Sequence, residues 1–116
     1  MIIGVGIDVV DIERFGETLE RTPALRERLF TSSERGLGLA SLAARFAARE
    51  AVMKALGLGL GAFGFHEVWV ERAASGAPSL AVTGRAAALA DAAGVTRWHI
   101  SLTHSDLVAV AYVVAE

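Results

Sequence analysis

Two pairs of charged residues lie one helical turn apart in the segment Ser41 to Leu56: Glu50 with Lys54, and Arg45 with Arg49. Residues at i and i+4 share a helix face. Such a Glu–Lys pair is ordinarily a solvated surface pair worth about 0.2–0.5 kcal/mol. Here the rest of the segment is mostly Ala, Leu, Phe, Val and Met. Four charges edging an apolar helix point to a cleft instead. Three cations and one carboxylate suit a polyphosphate ligand whose charge is shared between Lys/Arg and a hard cation. A second carboxylate, Asp8, closes the apolar stretch Met1 to Val10. Asp at a strand end is commonly a turn or helix-entry residue. Paired with Glu50 it would suit Mg²⁺, which takes one or two carboxylates, several waters and substrate phosphates. The spacing alone does not bring the two together. His104 follows Ile100 to Thr103 at a strand end, and with Ser101, Thr103 and Ser105 it offers several donors. By itself such a His is ordinarily structural, and His66 and His99 are assigned no role.

The elements that must position these residues can be read from periodicity and punctuation. Met1 to Val10 is apolar and β-branched, with Gly4 and Gly6 allowing close backbone approach, and reads as a buried strand. Asp11 caps a helix from Ile12 to about Arg21, with Ile12, Phe15 and Leu19 on one side. Thr22-Pro23 breaks it, and Ala24 to Phe30 is a short second helix. Thr31 to Gly38 reads as a loop. Ser41 to Leu56 is the longest helix, and Gly57, Gly59, Gly61 and Gly64 follow it as a flexible loop. That glycine stretch lacks the Lys-Ser/Thr ending of a phosphate loop. His66 to Arg72 and Ser79 to Thr83 are strands around the turn Ser75-Gly76-Ala77-Pro78. Arg85 to Ala93 is an Ala-rich helix ended by Gly94. Arg97 to Thr103 and Leu107 to Val114 are the last two strands. This order of hairpins and helices predicts a single α+β domain.

Composition narrows the class. The 116 residues carry a net charge of −2, 53% hydrophobic residues and no Cys. The length suits one domain with a real core. Disulfide scaffolds, Cys-based metal sites and a Cys nucleophile are excluded. The weak negative charge lacks the basic surplus of a nucleic-acid footprint. The longest apolar run, Leu107 to Ala115, is far short of the ~20 residues of a spanning helix. The N-terminus has no basic region of a signal peptide. A soluble, cytoplasmic protein is the expectation, and the starting Met1 suggests a free-standing one.

Four blocks in order give the chain a family likeness. Gly4-Val5-Gly6-Ile7-Asp8 with Glu13-Arg14-Phe15 is the first, and Arg45 to Gly57 (RFAAREAVMKALG) is the most diagnostic. The turn Ser75 to Pro78 with Gly84, and the segment His99 to His104, are the others. Over nearly its whole length the chain resembles the holo-acyl-carrier-protein synthases, the small bacterial 4′-phosphopantetheinyl transferases. The resemblance implies transfer of the phosphopantetheine arm of coenzyme A to a serine of an acyl carrier protein, with release of adenosine 3′,5′-bisphosphate. It implies that Asp8 and Glu50 hold Mg²⁺ and that Lys54 neutralises a phosphate oxygen. Glu50 would also relay the proton lost by the carrier serine. It places Arg45, Arg49, Lys54, Gly76, Pro78 and His104 against coenzyme A. Arg14 and Arg21, assisted by Arg26 or Arg28, would face the acidic helix of the carrier. It further implies a homotrimer with sites at subunit boundaries, which would give the apolar surplus a destination. Position 49 is Arg where the family usually has Lys, and Thr31 to Leu39 is shorter than usual. Two other readings stay open: a coenzyme A-binding module without turnover, and a Mg²⁺-dependent phosphohydrolase.

Overall fold

The computed structural model describes residues 1–116. Strand β1 (Gly4–Asp11) leads into helix α1 (Ile12–Arg21), and Asp11 caps that helix by accepting from Arg14 N at 2.9 Å. A short α2 (Leu25–Leu29) and the turn-rich segment 30–38 lead to the long α3 (Leu39–Ala55). A single 3-10 turn, Phe65–Glu67, precedes the hairpin β2 (Val68–Arg72) and β3 (Pro78–Val82). Helix α4 (Gly84–Ala93) is stopped by Gly94 in the left-handed region, as a C-terminal glycine does. Strands β4 (Trp98–His104) and β5 (Val108–Ala115) complete the chain. The element order is the expected one. The first strand starts at Gly4 rather than Met1, although Ile3 N still donates to Ala115 O at 2.8 Å.

All strand pairings are antiparallel, in a three-stranded sheet β1-β5-β4 and a separate hairpin β2-β3. Register sorts the large sheet into two faces, because successive strand residues point to opposite sides. The inner face carries Gly4, Gly6, Asp8 and Val10 on β1, opposite Ala115, Val113, Ala111 and Ala109 on β5. Helix α3 lies against this face. A Cβ at Gly6 would come within 1.9 Å of Ala51 O, and one at Gly4 within 1.9 Å of Ala55 O. The glycines on the strand and the alanines on the helix (Ala47, Ala51 and Ala55, all buried) therefore set an unusually close approach. This fixes the height of Asp8 along α3. The main core gathers Val52, Met53, Val68, Val70 and Val113 under the sheet. A second core of Phe15, Leu19, Phe30 and Leu42 joins α1 to the start of α3.

The outer face of the sheet has no cover within the chain. Val5, Ile7 and Val9 are each more than half exposed, and Tyr112 beside Ile7 is 44% exposed. No helix is long and apolar enough to cross a membrane.

Candidate active site

Asp8 is the last inward-facing polar residue of β1 before α1, and Glu50 and Lys54 are on the turn of α3 packed beside it. Lys54 Nζ donates to Asp8 Oδ1 at 3.1 Å and to Ile7 O at 2.9 Å. The ammonium side chain is half exposed, so the pair is anchored at its backbone end and open at its outer side. Asp8 and Glu50 both line one cavity of about 790 Å³. Its walls come from β1 and α1 (Asp11, Arg14, Phe15), α2 (Arg28, Leu29) and the aromatic pair Phe46 and Phe65. A cavity lined by carboxylates, arginines and aromatic rings can hold a ligand with a charged head and an extended arm.

Burial raises the Glu50 carboxyl above its usual range, the negative charge of Asp8 raises it further, and Lys54 opposes both. Two neighbouring carboxylates disfavour ionising together, which is the electrostatic demand that a divalent cation answers. The chain has no group of three or more Asp, Glu or His to form an all-protein cage. A two-carboxylate set instead fits Mg²⁺, which retains waters and completes its shell with substrate oxygens.

The raised Glu50 pKa has a sign that can be tested without substrate. In metal-free protein the folded state binds this proton more tightly than the unfolded chain. The cost to stability is absent below the unfolded value, grows as pH rises, and is complete above the folded value. Glu50→Gln is therefore expected to melt higher than the parent at pH 8 and equally at pH 4, by thermal unfolding in chelator. Equal melting temperatures at both values would remove the carboxylate repulsion.

The other expected site residues divide. Arg14 and Arg28 line the cavity, whereas Arg21 sits at the exposed end of α1 and Arg26 Nη1 is held by Arg35 O at 3.0 Å. Gly76 and Pro78 are in the β2–β3 hairpin, and His104 is at the exposed end of β4. None of the three lines this cavity. Strand alternation also divides the donors expected around His104. His104 shares the inner register with Ile100 and Leu102, while Ser101 and Thr103 take the outer one. Ser105 instead turns back to accept from Leu107 N and Val108 N.

Arg45 and Arg49 do not edge an open cleft. Arg49 is fully buried and Arg45 is 5% exposed. Arg49 Nη2 contacts Glu34 Oε1 at 2.5 Å, and Nη1 contacts Glu34 Oε2 and Arg45 O, both at 3.3 Å. Its Nε donates to Phe65 O at 2.7 Å, and the guanidinium stands 5.4 Å from the centre of the Phe30 ring. This corrects the placement of Arg49 against coenzyme A: the side chain has no surface to present to a ligand. Arg45 Nε lies 4.0 Å from Glu34 Oε2 and has no hydrogen-bond partner. Burial, with Arg72 and Arg49 nearby, pulls the Arg45 pKa below its ordinary value, against the pull of Glu34.

Glu34 is the residue that sequence reasoning missed. The only signal was an imbalance: three cations against one carboxylate on a buried helix leave a charge that wants a partner. His66, assigned no role, joins Glu27 O through Nε2 at 2.6 Å and ties the Phe65–Glu67 turn to α2. Glu67 accepts from Arg85 N and Ala86 N, tying the same turn to α4.

A profile of the 4′-phosphopantetheinyl transferase superfamily matches residues 4–113 of this chain. The chain belongs to that superfamily. Within it the match is to the holo-acyl-carrier-protein synthases. The synthase of Micrococcus luteus is 56% identical, over all of this chain and 93% of its own length. The crystal structure of the Neisseria meningitidis synthase superposes with a TM-score of 0.91 at 31% identity, covering 100% of this chain and 99% of that one. The Bacillus anthracis synthase, solved in complex with CoA (3′,5′-ADP), superposes with a TM-score of 0.82 at 34% identity, covering 100% and 97%. The synthase likeness thus spans the whole fold, and the chain is an enzyme of this phosphopantetheinyl transferase family.

Proposed function

We propose that the chain moves the 4′-phosphopantetheine group from coenzyme A to a serine of an apo acyl carrier protein, in a Mg²⁺-dependent reaction that releases adenosine 3′,5′-bisphosphate. The observation that carries this reading is the pairing of Asp8 and Glu50 in an aromatic-walled cavity, with Lys54 hydrogen-bonded to Asp8. Asp8 and Glu50 would hold the cation, which when bound supplies Lewis-acid polarisation of the pyrophosphate.

The chain's own residues supply positioning and charge, which is what phosphoryl-centre chemistry asks of a protein. The serine hydroxyl attacks the phosphorus that bears the pantetheine, and the bridging P–O bond breaks with its electrons going to the departing nucleotide. Lys54 has three N–H donors, two of them held by Asp8 and Ile7 O. The third is free for a phosphate oxygen. Glu50, a carboxylate at the cavity beside Asp8, accepts the serine proton. His104 takes the 3′-phosphate, and the Gly76–Pro78 turn approaches the adenine. Arg14 at the cavity and Arg21 farther along α1 meet the acidic surface of the carrier.

The separation of Gly76, Pro78 and His104 from the cavity supports a site completed by a second copy of the chain. The uncovered stripe of Val5, Ile7, Val9 and Tyr112 supplies apolar surface for that assembly. A homotrimer acting in the cytoplasm accommodates both features. Light scattering at micromolar concentration is expected to give a trimer mass, and a monomer would contradict the shared site. Offered several apo carriers with coenzyme A and Mg²⁺, the enzyme should modify at least one. Phosphate release from coenzyme A without any carrier would favour a phosphohydrolase instead.

A further inference from the structure

We infer that Arg49, aligned by Glu34, is a positioning residue that fixes the aromatic wall of the cavity and so sets the affinity for coenzyme A. The inference rests on the transferase reading of the cavity. Arg49 joins three segments at one buried point: Glu34 from the α2–α3 connection, the α3 carbonyl of Arg45, and the Phe65 carbonyl at the start of the 3-10 turn. Glu34 is itself held from behind, accepting from Thr31 N and Thr31 Oγ1, both at 3.1 Å. The fork is therefore aimed by a fixed carboxylate.

What it aims at is the wall. The Phe65 ring stacks on Phe46 with centroids 6.2 Å apart and planes 22° apart, and Phe46 meets Phe15 at 5.3 Å. All three rings line the cavity that Asp8 and Glu50 head. Glu50 follows Arg49 directly on α3, so one helical turn carries both the carboxylate and the residue that holds the opposing ring in place. His66, the neighbour of Phe65, ties α2 and its cavity residues Arg28 and Leu29 to the same turn.

A guanidinium can do this and an ammonium cannot. Arg presents five N–H donors in a planar fork, so the edge that faces Glu34 and the Nε that faces Phe65 O are satisfied together. Lys in this position keeps a positive charge for Glu34 but places it at one point. It would leave Phe65 O unheld while preserving the ion pair, which separates positioning from stability.

The test uses Arg49→Lys, Phe65→Ala and the double variant in the full chain. Hydrogen exchange of residues 62–67 is measured without ligand, alongside melting temperature and steady-state transfer from coenzyme A. Arg49→Lys is expected to speed exchange in 62–67 at nearly unchanged melting temperature. It should raise KM for coenzyme A about fivefold with kcat within about twofold. In Phe65→Ala, where the ring is already gone, adding Arg49→Lys should change KM little further. Unchanged exchange in Arg49→Lys would overturn the inference, as would faster exchange with unchanged KM. Fully additive KM effects would also overturn it. If the parent protein transfers nothing, the transferase reading fails and the claim on affinity falls with it. The exchange result would then still report whether Arg49 holds the wall.

Discussion

Alanine at position 50 is expected to reduce Mg²⁺-dependent transfer by about 10²-fold or more, the scale associated with losing a positioned proton acceptor. The loss should exceed that figure, because in the proposed site Glu50 also holds the cation together with Asp8. The effect should appear in kcat, measured as the rate of mass gain by apo carrier at saturating coenzyme A. The fold should survive. Glu50 makes no ion pair within 4.0 Å, and its neighbours Ala47, Ala51 and Met53 carry the packing of this part of α3. In metal-free protein the alanine should even relieve the repulsion with Asp8. Near-parental rates in a folded variant would remove Glu50 from the site.

The second large effect is on stability. Arg49→Met is expected to cost about 3 kcal/mol or more, because breaking a buried pair leaves an uncompensated charge. Glu34 is 1% exposed and would keep only Thr31 and the distant Arg45 Nε. For a chain of this size that lowers the melting temperature by on the order of 10 °C. Removing the second charge as well should restore most of the loss: Glu34→Leu with Arg49→Met replaces a buried pair by apolar groups, which is often neutral. Chemical denaturation of parent, single and double variants checks both statements. A single variant as stable as the parent would mean that Glu34 is not committed to Arg49.

Much of this arrangement is legible in the sequence, and the reasons differ from residue to residue. Glycine at 4 and 6 marked β1 as a place of close backbone approach, but that α3 is the element approaching it, through Ala51 and Ala55, came only from the fold. The Asp11 cap and the Gly94 stop are local, so residue type alone marks them. Glu50 and Lys54 could be placed on one face because helical period is fixed. The meeting of Asp8 with that face could not be read from spacing, since it depends on a contact across more than forty residues. The resemblance supplied it. The arginines show the opposite limit. Periodicity put Arg45 and Arg49 together correctly, but whether a helix face meets solvent, ligand or a buried acid depends on a loop of no regular pattern. Glu34 lies in such a loop, and its partner is chosen by tertiary packing. The donors around His104 were misgrouped for a simpler reason: adjacent residues in a strand point apart, so Ser101 and Thr103 cannot join a neighbour of opposite register.

The central claim is that one centre, headed by Asp8 and Glu50, transfers phosphopantetheine. Its most direct test is intact-mass spectrometry of an apo acyl carrier protein incubated with this protein and coenzyme A, with Mg²⁺ present or chelated. The carrier should gain one phosphopantetheine mass on a serine when Mg²⁺ is present and stay unmodified when it is chelated. A folded, assembled sample that leaves every apo carrier unmodified in the presence of Mg²⁺ would contradict the account.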